Sequence, residues 1–400
     1  SVVINRYLYL SQAMKSTVKV PFVDLEAQHK PLEPQLKRAL WATIQRGDFV
    51  LGQAVREFEQ AFAGASGVEY GVGVGCGTDA IALGLKAAGI LPNDEIILPV
   101  NTFVATLIGV LRVGATPVLV DCDPNTALID LTAVAKAITS QTRAVIPVHL
   151  YGQMVSPDGV LDLARTYDLM IFEDAAQAHM AEREGFRAGS LGIAAAFSFY
   201  PSKNLGGFGD GGMLTTQDKG LMQMAQSLRN YGASRKYYHT EIGSNSRLDS
   251  LQAAILSAKL PYLSAWNQAR YEAAQVYDKL LAPLREYGLV PLVNQSGRGH
   301  VYHLYVIRVD QTCPFNRDEM REVLIEQGIQ TGIHYPIPCH LQPAFRHLGY
   351  EAGQFPHAEK LCREILSLPM YPGITLEKIE MVVSAIKDLV TSRVVQAVTR

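Results

Sequence analysis

The 400-residue sequence predicts an α/β protein, with a mostly parallel sheet under helices followed by a smaller α+β C-terminal domain. Three observations carry that prediction. From about Ala65 to Thr216, short β-rich apolar runs alternate with helical stretches, the rhythm of βαβ units. From Leu248 to Leu284 the chain is rich in Ala, Leu, Gln and Lys at helical spacing, interrupted at Pro261, which reads as one kinked connection leaving the sheet. Finally, 400 residues is more than one compact core usually holds.

Taken in order, Ser1 to Ala13 lack an apolar signal core and read as a loose tail, with Met14 a candidate natural start. A helix is expected around Leu36 to Thr43, completing the small domain. Strands are expected at Glu95–Val100, Pro117–Asp121, Ala144–His149, Leu169–Glu173, Ala194–Phe199 and Gly212–Thr215. Helices are expected at Asp79–Ala88, Val104–Val113, Leu131–Ile138, Pro157–Tyr167 and Asp218–Asn230. Beyond the kinked connection come an apolar run from Val301 to Val309, a helix from Arg317 to Gln327, a Pro/His loop from His334 to His340 and a helix from Glu377 to Leu389. The expected division is a tail at 1–19, a large domain at 20–260 and a small domain at 261–400.

Composition removes several classes of function. With 18% charged residues, a net charge of -2 and no block of one sign, neither nucleic acid nor an anionic membrane is an expected partner. Five scattered cysteines (Cys76, Cys122, Cys313, Cys339, Cys362) without a CxxC pair favour reduced thiols in a cytoplasm over disulfides or zinc. No apolar stretch is long enough to cross a bilayer.

The chemistry concentrates at strand ends. Lys203 lies in Ser198-Phe199-Tyr200-Pro201-Ser202-Lys203-Asn204-Leu205-Gly206, just beyond an apolar strand and among small and hydroxyl residues, which suits a Schiff base with an aldehyde. Asp174 ends another apolar strand and precedes two alanines. There a carboxylate can hold a pyridinium nitrogen protonated, and small neighbours let a flat ring approach. Together these are the two groups that pyridoxal phosphate chemistry needs most. Asp174 can equally be a helix N-cap, with Gln177 completing a capping box. Gly77 and Thr78 can open a helix that grips a phosphate, or form an ordinary Gly-rich turn. Gly75 to Ala80 also fits GxGxxA with Asp94 downstream, a weak dinucleotide signal. Phe103 follows a strand and can stack on a flat ring or belong to the core. Ser198 is a second candidate phosphate donor. His334 and His340 are separated by two prolines and lack helical ligand spacing, so their loop is expected to meet a substrate rather than a metal.

Gly77-Thr78-Asp79-Ala80, Glu173-Asp174-Ala175-Ala176-Gln177-Ala178, the run from Ser198 to Gly212, and Gly243-Ser244-Asn245-Ser246-Arg247-Leu248-Asp249 occur in that order. Together they resemble the DegT/DnrJ/EryC1/StrS family of PLP-dependent sugar aminotransferases, from Val20 to about Val390. Phe197 to Gly206, Phe208 to Gly212, and His334-Tyr335-Pro336-Ile337-Pro338-Cys339-His340-Leu341 most resemble a subgroup that aminates C3 of dTDP-3-keto-6-deoxyhexoses. The resemblance implies the type I PLP-dependent transferase fold (aspartate aminotransferase-like) and a homodimer with active sites at the interface. It implies that 20–260 is the PLP-binding domain and that Lys203 carries pyridoxal 5'-phosphate as an internal aldimine. Asp174 would bind the ring nitrogen, Phe103 would stack on the ring, and Gln177 would sit beside its substituents. Gly77, Thr78 and Ser198 would hold the phosphate, joined by Asn245 from the partner subunit. His334 and Tyr335 would face the hexose. Some relatives carry histidine in place of the lysine and dehydrate their substrates; Lys203 implies transamination, with L-glutamate the expected donor. Three readings compete: amination at C4, a regulator that binds PLP and a sugar nucleotide without turnover, and an NAD-binding oxidoreductase.

Overall fold

The computed structural model describes residues 18–398; the first 17 residues of the expected tail lie outside them. Seven strands form the main sheet: β1 (Tyr70–Val74), β2 (Glu95–Pro99), β3 (Thr116–Val120), β4 (Thr142–Val145), β5 (Met170–Asp174), β6 (Ala194–Ser198) and β7 (Gly212–Thr216). Their spatial order is β1-β7-β6-β5-β4-β2-β3. Strand β7 runs antiparallel to both neighbours, while the remaining pairs are parallel. The strand that reads as Ala144–His149 stops its ladder at Val145 and then touches β5 only through a bridge from Val148 to Asp174.

Strand β1 escaped the sequence reading because its alternating glycines dilute the β signal. Crowding explains them: a Cβ on Gly71 would meet the Glu59 carbonyl at 2.7 Å, and one on Gly73 would meet the Leu248 side chain at 2.9 Å.

The main helices are α1 (Glu33–Arg46), α2 (Gln53–Ala65), α3 (Gly77–Ala87), α4 (Val104–Arg112), α5 (Leu131–Ala137), α6 (Pro157–Tyr167) and α7 (Lys219–Leu228). They cover both faces of the sheet, and β6 shows how the alternation sorts them. Ala194 and Ala196 belong to the core shared with α3, whereas Ala195 and Phe197 belong to the opposite core with Phe58 and Phe62 of α2. Phe62 meets Phe197 and Phe199 edge to face at 4.9 and 5.2 Å. Helix α6 is a local product of its sequence: Ser156 accepts the Gly159 N–H as N-cap, Pro157 opens the first turn, and Asp168 closes it in the left-handed region.

The connection interrupted at Pro261 is α8 (Ser250–Lys259), a single tight turn at Leu260–Tyr262, then α9 (Leu263–Leu281). Helix α1 does not complete the small domain. Leu32 and Leu36 pack on Ile255 of α8, with Leu40, Tyr262 and Trp266 around them, because that apolar stripe faces the kink. The N-terminal segment that does reach the small core is Val20, bridged to Ile329. That region holds an antiparallel sheet of β8 (Leu289–Pro291), β9 (Tyr305–Val309) and β10 (Ile365–Leu368). It also contains α10 (Arg317–Glu326), α11 (Pro356–Glu364) and α12 (Leu376–Val398). Among the described residues, no helix is long and apolar enough to cross a membrane.

Candidate active site

A cleft of about 480 Å³ opens where the parallel strands present their carboxyl ends and β7 its amino end. Its wall contains Lys203, Asp174, Gly77, Thr78, Phe103, Gln177, Ser198, His334 and Tyr335. Asn245 does not line it. Residue 245 is exposed beside the bridge to Asn230, while the next residue, Ser246, turns inward. Ser246 accepts the Gly75 N–H at 3.0 Å and donates to Asp79 at 2.6 Å, which fixes the Asn245 segment next to the start of α3.

The end of the cleft at α3 is built from backbone. Helix α3 starts at Gly77 with no side-chain cap, so its first N–H groups are left for another acceptor. A Cβ on Gly77 would stand 2.9 Å from the Ser198 Cβ, so glycine is what lets the helix start and the end of β6 meet. The dinucleotide reading fails here: Asp94 accepts the Leu91 N–H at 2.8 Å before β2 begins, at the opposite end of the strand from the cleft.

At the other end, Asp174 is buried and oriented by two donors, the Thr106 hydroxyl at 2.7 Å and the Ala176 N–H at 3.1 Å. Thr102 bonds Thr106 at 2.8 Å and continues this support. No α-helix follows Asp174, so it is not an N-cap, and Gln177 does not close a capping box. Instead Gln177 accepts the Tyr151 N–H at 2.6 Å and donates to the Tyr335 hydroxyl at 3.1 Å, joining the two halves of the cleft. The preceding Glu173 points to the other face, where it is bound by His149 at 2.9 Å and by the N–H groups of Gly189, Leu191 and Gly192. Those bonds anchor the strand that carries Asp174.

Burial lowers the Lys203 ammonium to about 8, against the opposing pull of the Asp174 charge. The amine therefore exchanges its proton near neutral pH. His334 is held near 4 by burial and then by the Lys203 charge, and its Nδ1 meets Ser367 Oγ at 2.9 Å. Tyr335 is pushed well above the usual phenol range by burial and Asp174, so it stays a neutral hydroxyl. Phe103 is 51% exposed at the mouth, its ring 5.1 Å from that of Tyr335. His340 turns away to Glu359 at 3.1 Å, so the two loop histidines do not converge on one ligand.

Sequence reading missed Thr106, His149, Tyr151 and His303. None stands in a motif: Thr106 reaches the site from the first turn of α4, and His149, Tyr151 and His303 from segments beside strand ends, which only the fold brings near. A helix start without a side-chain cap, hydroxyls beside it, a lysine and a buried carboxylate make a donor set that fits pyridoxal phosphate: the helix N–H groups would take its phosphate and Asp174 its ring nitrogen.

The profile of the DegT/DnrJ/EryC1/StrS aminotransferase family matches residues 32–387. A pleiotropic regulatory protein of Geobacillus stearothermophilus is 44% identical over 371 residues, covering 93% of this chain and 98% of that protein. The dTDP-3-amino-3,4,6-trideoxy-alpha-D-glucose transaminase of Streptomyces venezuelae is 41% identical over 372 residues, covering 93% and 96%. The crystal structure of S. venezuelae DesV with a ketimine intermediate superposes with a TM-score of 0.89 at 40% identity, covering 94% of this chain and 99% of that one. The chain belongs to the DegT/DnrJ/EryC1/StrS aminotransferase family.

Proposed function

We propose that this protein uses pyridoxal phosphate, held on Lys203, to move an amino group from L-glutamate to C3 of a dTDP-linked 3-keto-6-deoxyhexose. The observation that carries the reading is the pairing, in one cleft, of a lysine brought to about 8 with a buried carboxylate held by Thr106. Pyridoxal phosphate, when bound, supplies an electron sink for the carbon that loses its proton.

The chain's own residues do the rest. The N–H groups at the start of α3, with Thr78 and Ser198, bind the phosphate. Asp174 keeps the ring nitrogen protonated. The free Lys203 amine takes the proton from Cα of glutamate and later returns one to C3 of the sugar. Phe103 covers one face of the ring, Gln177 holds its substituents, and His334 and Tyr335 face the hexose. The S. venezuelae transaminase supports the choice of C3 and dTDP.

The test is turnover with L-glutamate against a panel of dTDP-keto-hexoses, with product regiochemistry read by NMR. The expected result is a C3 amine with ping-pong kinetics, and amination at C4 alone defeats the C3 assignment. A second reading, a regulator that binds the same ligands without turnover, is favoured by the name of the G. stearothermophilus relative. Formation of 2-oxoglutarate by the cofactor-loaded chain decides against it.

The exposed Asn245, tied through Ser246 to the start of α3, supports a homodimer in which Asn245 crosses to the phosphate of the partner's site. Asn245→Ala is expected to release pyridoxal phosphate faster on dialysis while the 2-oxoglutarate half-reaction continues at saturating cofactor. Equal retention in the variant and the parent counts against the crossing.

A further inference from the structure

Next to Lys203, the buried Asn204 takes part in a chain of amide hydrogen bonds that can run in only one direction. Asn267 of α9 donates from Nδ2 to the carbonyl of His179 at 2.9 Å, which leaves its Oδ1 to accept. Asn204 fills that acceptor from its own Nδ2 at 2.9 Å and donates its other hydrogen to the Val301 carbonyl, also at 2.9 Å. Main-chain carbonyls only accept, so His179 and Val301 set the orientation of both amides. Asn204 is left with Oδ1, and it faces Nδ1 of His303 at 3.2 Å. The hydrogen in that contact belongs to Nδ1.

In a neutral imidazole the other ring nitrogen then carries a lone pair. His303 is 8% exposed, and burial together with the charges of Lys203 and Arg270 keeps its pKa well below the usual histidine range. It lines the same cleft as Lys203. Among the described residues, its Nε2 takes part in no hydrogen bond, and neither does the Lys203 amine. A donor and an acceptor therefore stand unspent in one cleft. His179 holds the opposite tautomer, since its Nε2 donates to the Ser198 carbonyl at 2.9 Å, and it is not part of the cleft wall.

We propose that His303 is a positioning residue for Lys203: its tautomer is locked with the hydrogen on Nδ1, and Nε2 accepts a hydrogen bond from the Lys203 amine when the cofactor is bound as its amine and Lys203 is displaced from it. The inference rests on the reading of Lys203 as the cofactor's lysine. A neutral acceptor suits this task because it holds the amine without competing for its proton as a second carboxylate does. The carboxylate already present, Asp174 of β5, is kept for the ring nitrogen. The other groups facing the pair are His179 from the segment after β5, Arg270 from α9 and His334 from the loop after α10.

Two measurements on the full chain test it. In the first, imidazole ¹⁵N NMR of the histidine-labelled protein is expected to show His303 with Nδ1 protonated and Nε2 bare from pH 6 to pH 8. A proton on Nε2 overturns the proposal. The second is competitive acylation of Lys203 against pH, read by peptide mass spectrometry with pyridoxamine phosphate added so that the lysine is free. Losing the acceptor disfavours the ammonium, so His303→Leu is expected to move the labelling midpoint down and to raise labelling at pH 6 about tenfold. His303→Gln, which can offer an amide oxygen near the position of Nε2, is expected to stay close to the parent. An unchanged labelling profile in folded His303→Leu overturns the proposal, as does an equal shift in His303→Gln. A chain that never gives the visible absorbance of lysine-bound pyridoxal defeats the proposed function instead, while the ¹⁵N and acylation results still decide the role of His303.

Discussion

Lys203→Ala is expected to abolish turnover and, with it, the visible absorbance that pyridoxal phosphate acquires when bound to a lysine. Loss of a positioned general base alone costs about 10²- to 10⁴-fold, and losing the covalent attachment adds to that. The fold should survive, because the Lys203 side chain lines the cleft and makes no hydrogen bond among the described residues. The neighbouring Asn204 holds this loop through Val301 and Asn267. The measurement is a pair: an absorbance spectrum with added pyridoxal phosphate, and 2-oxoglutarate formation from glutamate. A variant that keeps the absorbance removes Lys203 from its role. The parent has a pH signature too. Its lysine, brought to about 8 by burial, becomes a free base as pH rises through that value, so proton abstraction from glutamate should increase from pH 7 to pH 9.

The second large effect belongs to Asp174→Asn. The amide keeps the shape of the side chain and can still accept the Ala176 N–H, with Nδ2 turned to the Thr106 hydroxyl, but it removes the charge proposed to keep a ring nitrogen protonated. An opposite charge at contact distance moves a pKa by about one to three units, so the half-reaction should slow by about 10- to 1000-fold. Stability should change less than turnover. Asp174 is buried between two donors, and neither is left bare if the amide oxygen accepts the Ala176 N–H while Nδ2 donates to the Thr106 hydroxyl, which can accept as well as donate. Single-turnover kinetics at saturating cofactor check it, and a change smaller than threefold removes Asp174 from the ring nitrogen.

The sequence could be read furthest where local chemistry repeats a known physical pattern. The apolar runs ending at Glu173 and Phe199 are β5 and β6, and the break at Pro261 is the turn between α8 and α9. Other elements were hidden for identifiable reasons. Strand β1 has glycines where its neighbours leave no room for side chains, and β8 and β10 are only three and four residues long. Helix α1 packs on α8 rather than on the small domain, a choice its sequence does not carry, because an amphipathic stripe shows that a face is buried without showing what buries it.

For the site the division follows the same physics. By itself the sequence determined the residue types and their places at strand ends: Lys203, Asp174, the glycine-led start of α3, and the His334-Tyr335 loop. Periodicity and motif spacing are local properties, and strand ends in an α/β sheet share one edge. Only the tertiary structure decided which groups meet across long stretches of chain. Thr106 reaches Asp174, Gln177 reaches both Tyr151 and Tyr335, Asn204 sets the tautomer of His303, and Asn245 is left outside the cleft of its own chain. Those contacts depend on strand order and on how the small domain sits over the sheet, and no spacing along the sequence encodes either.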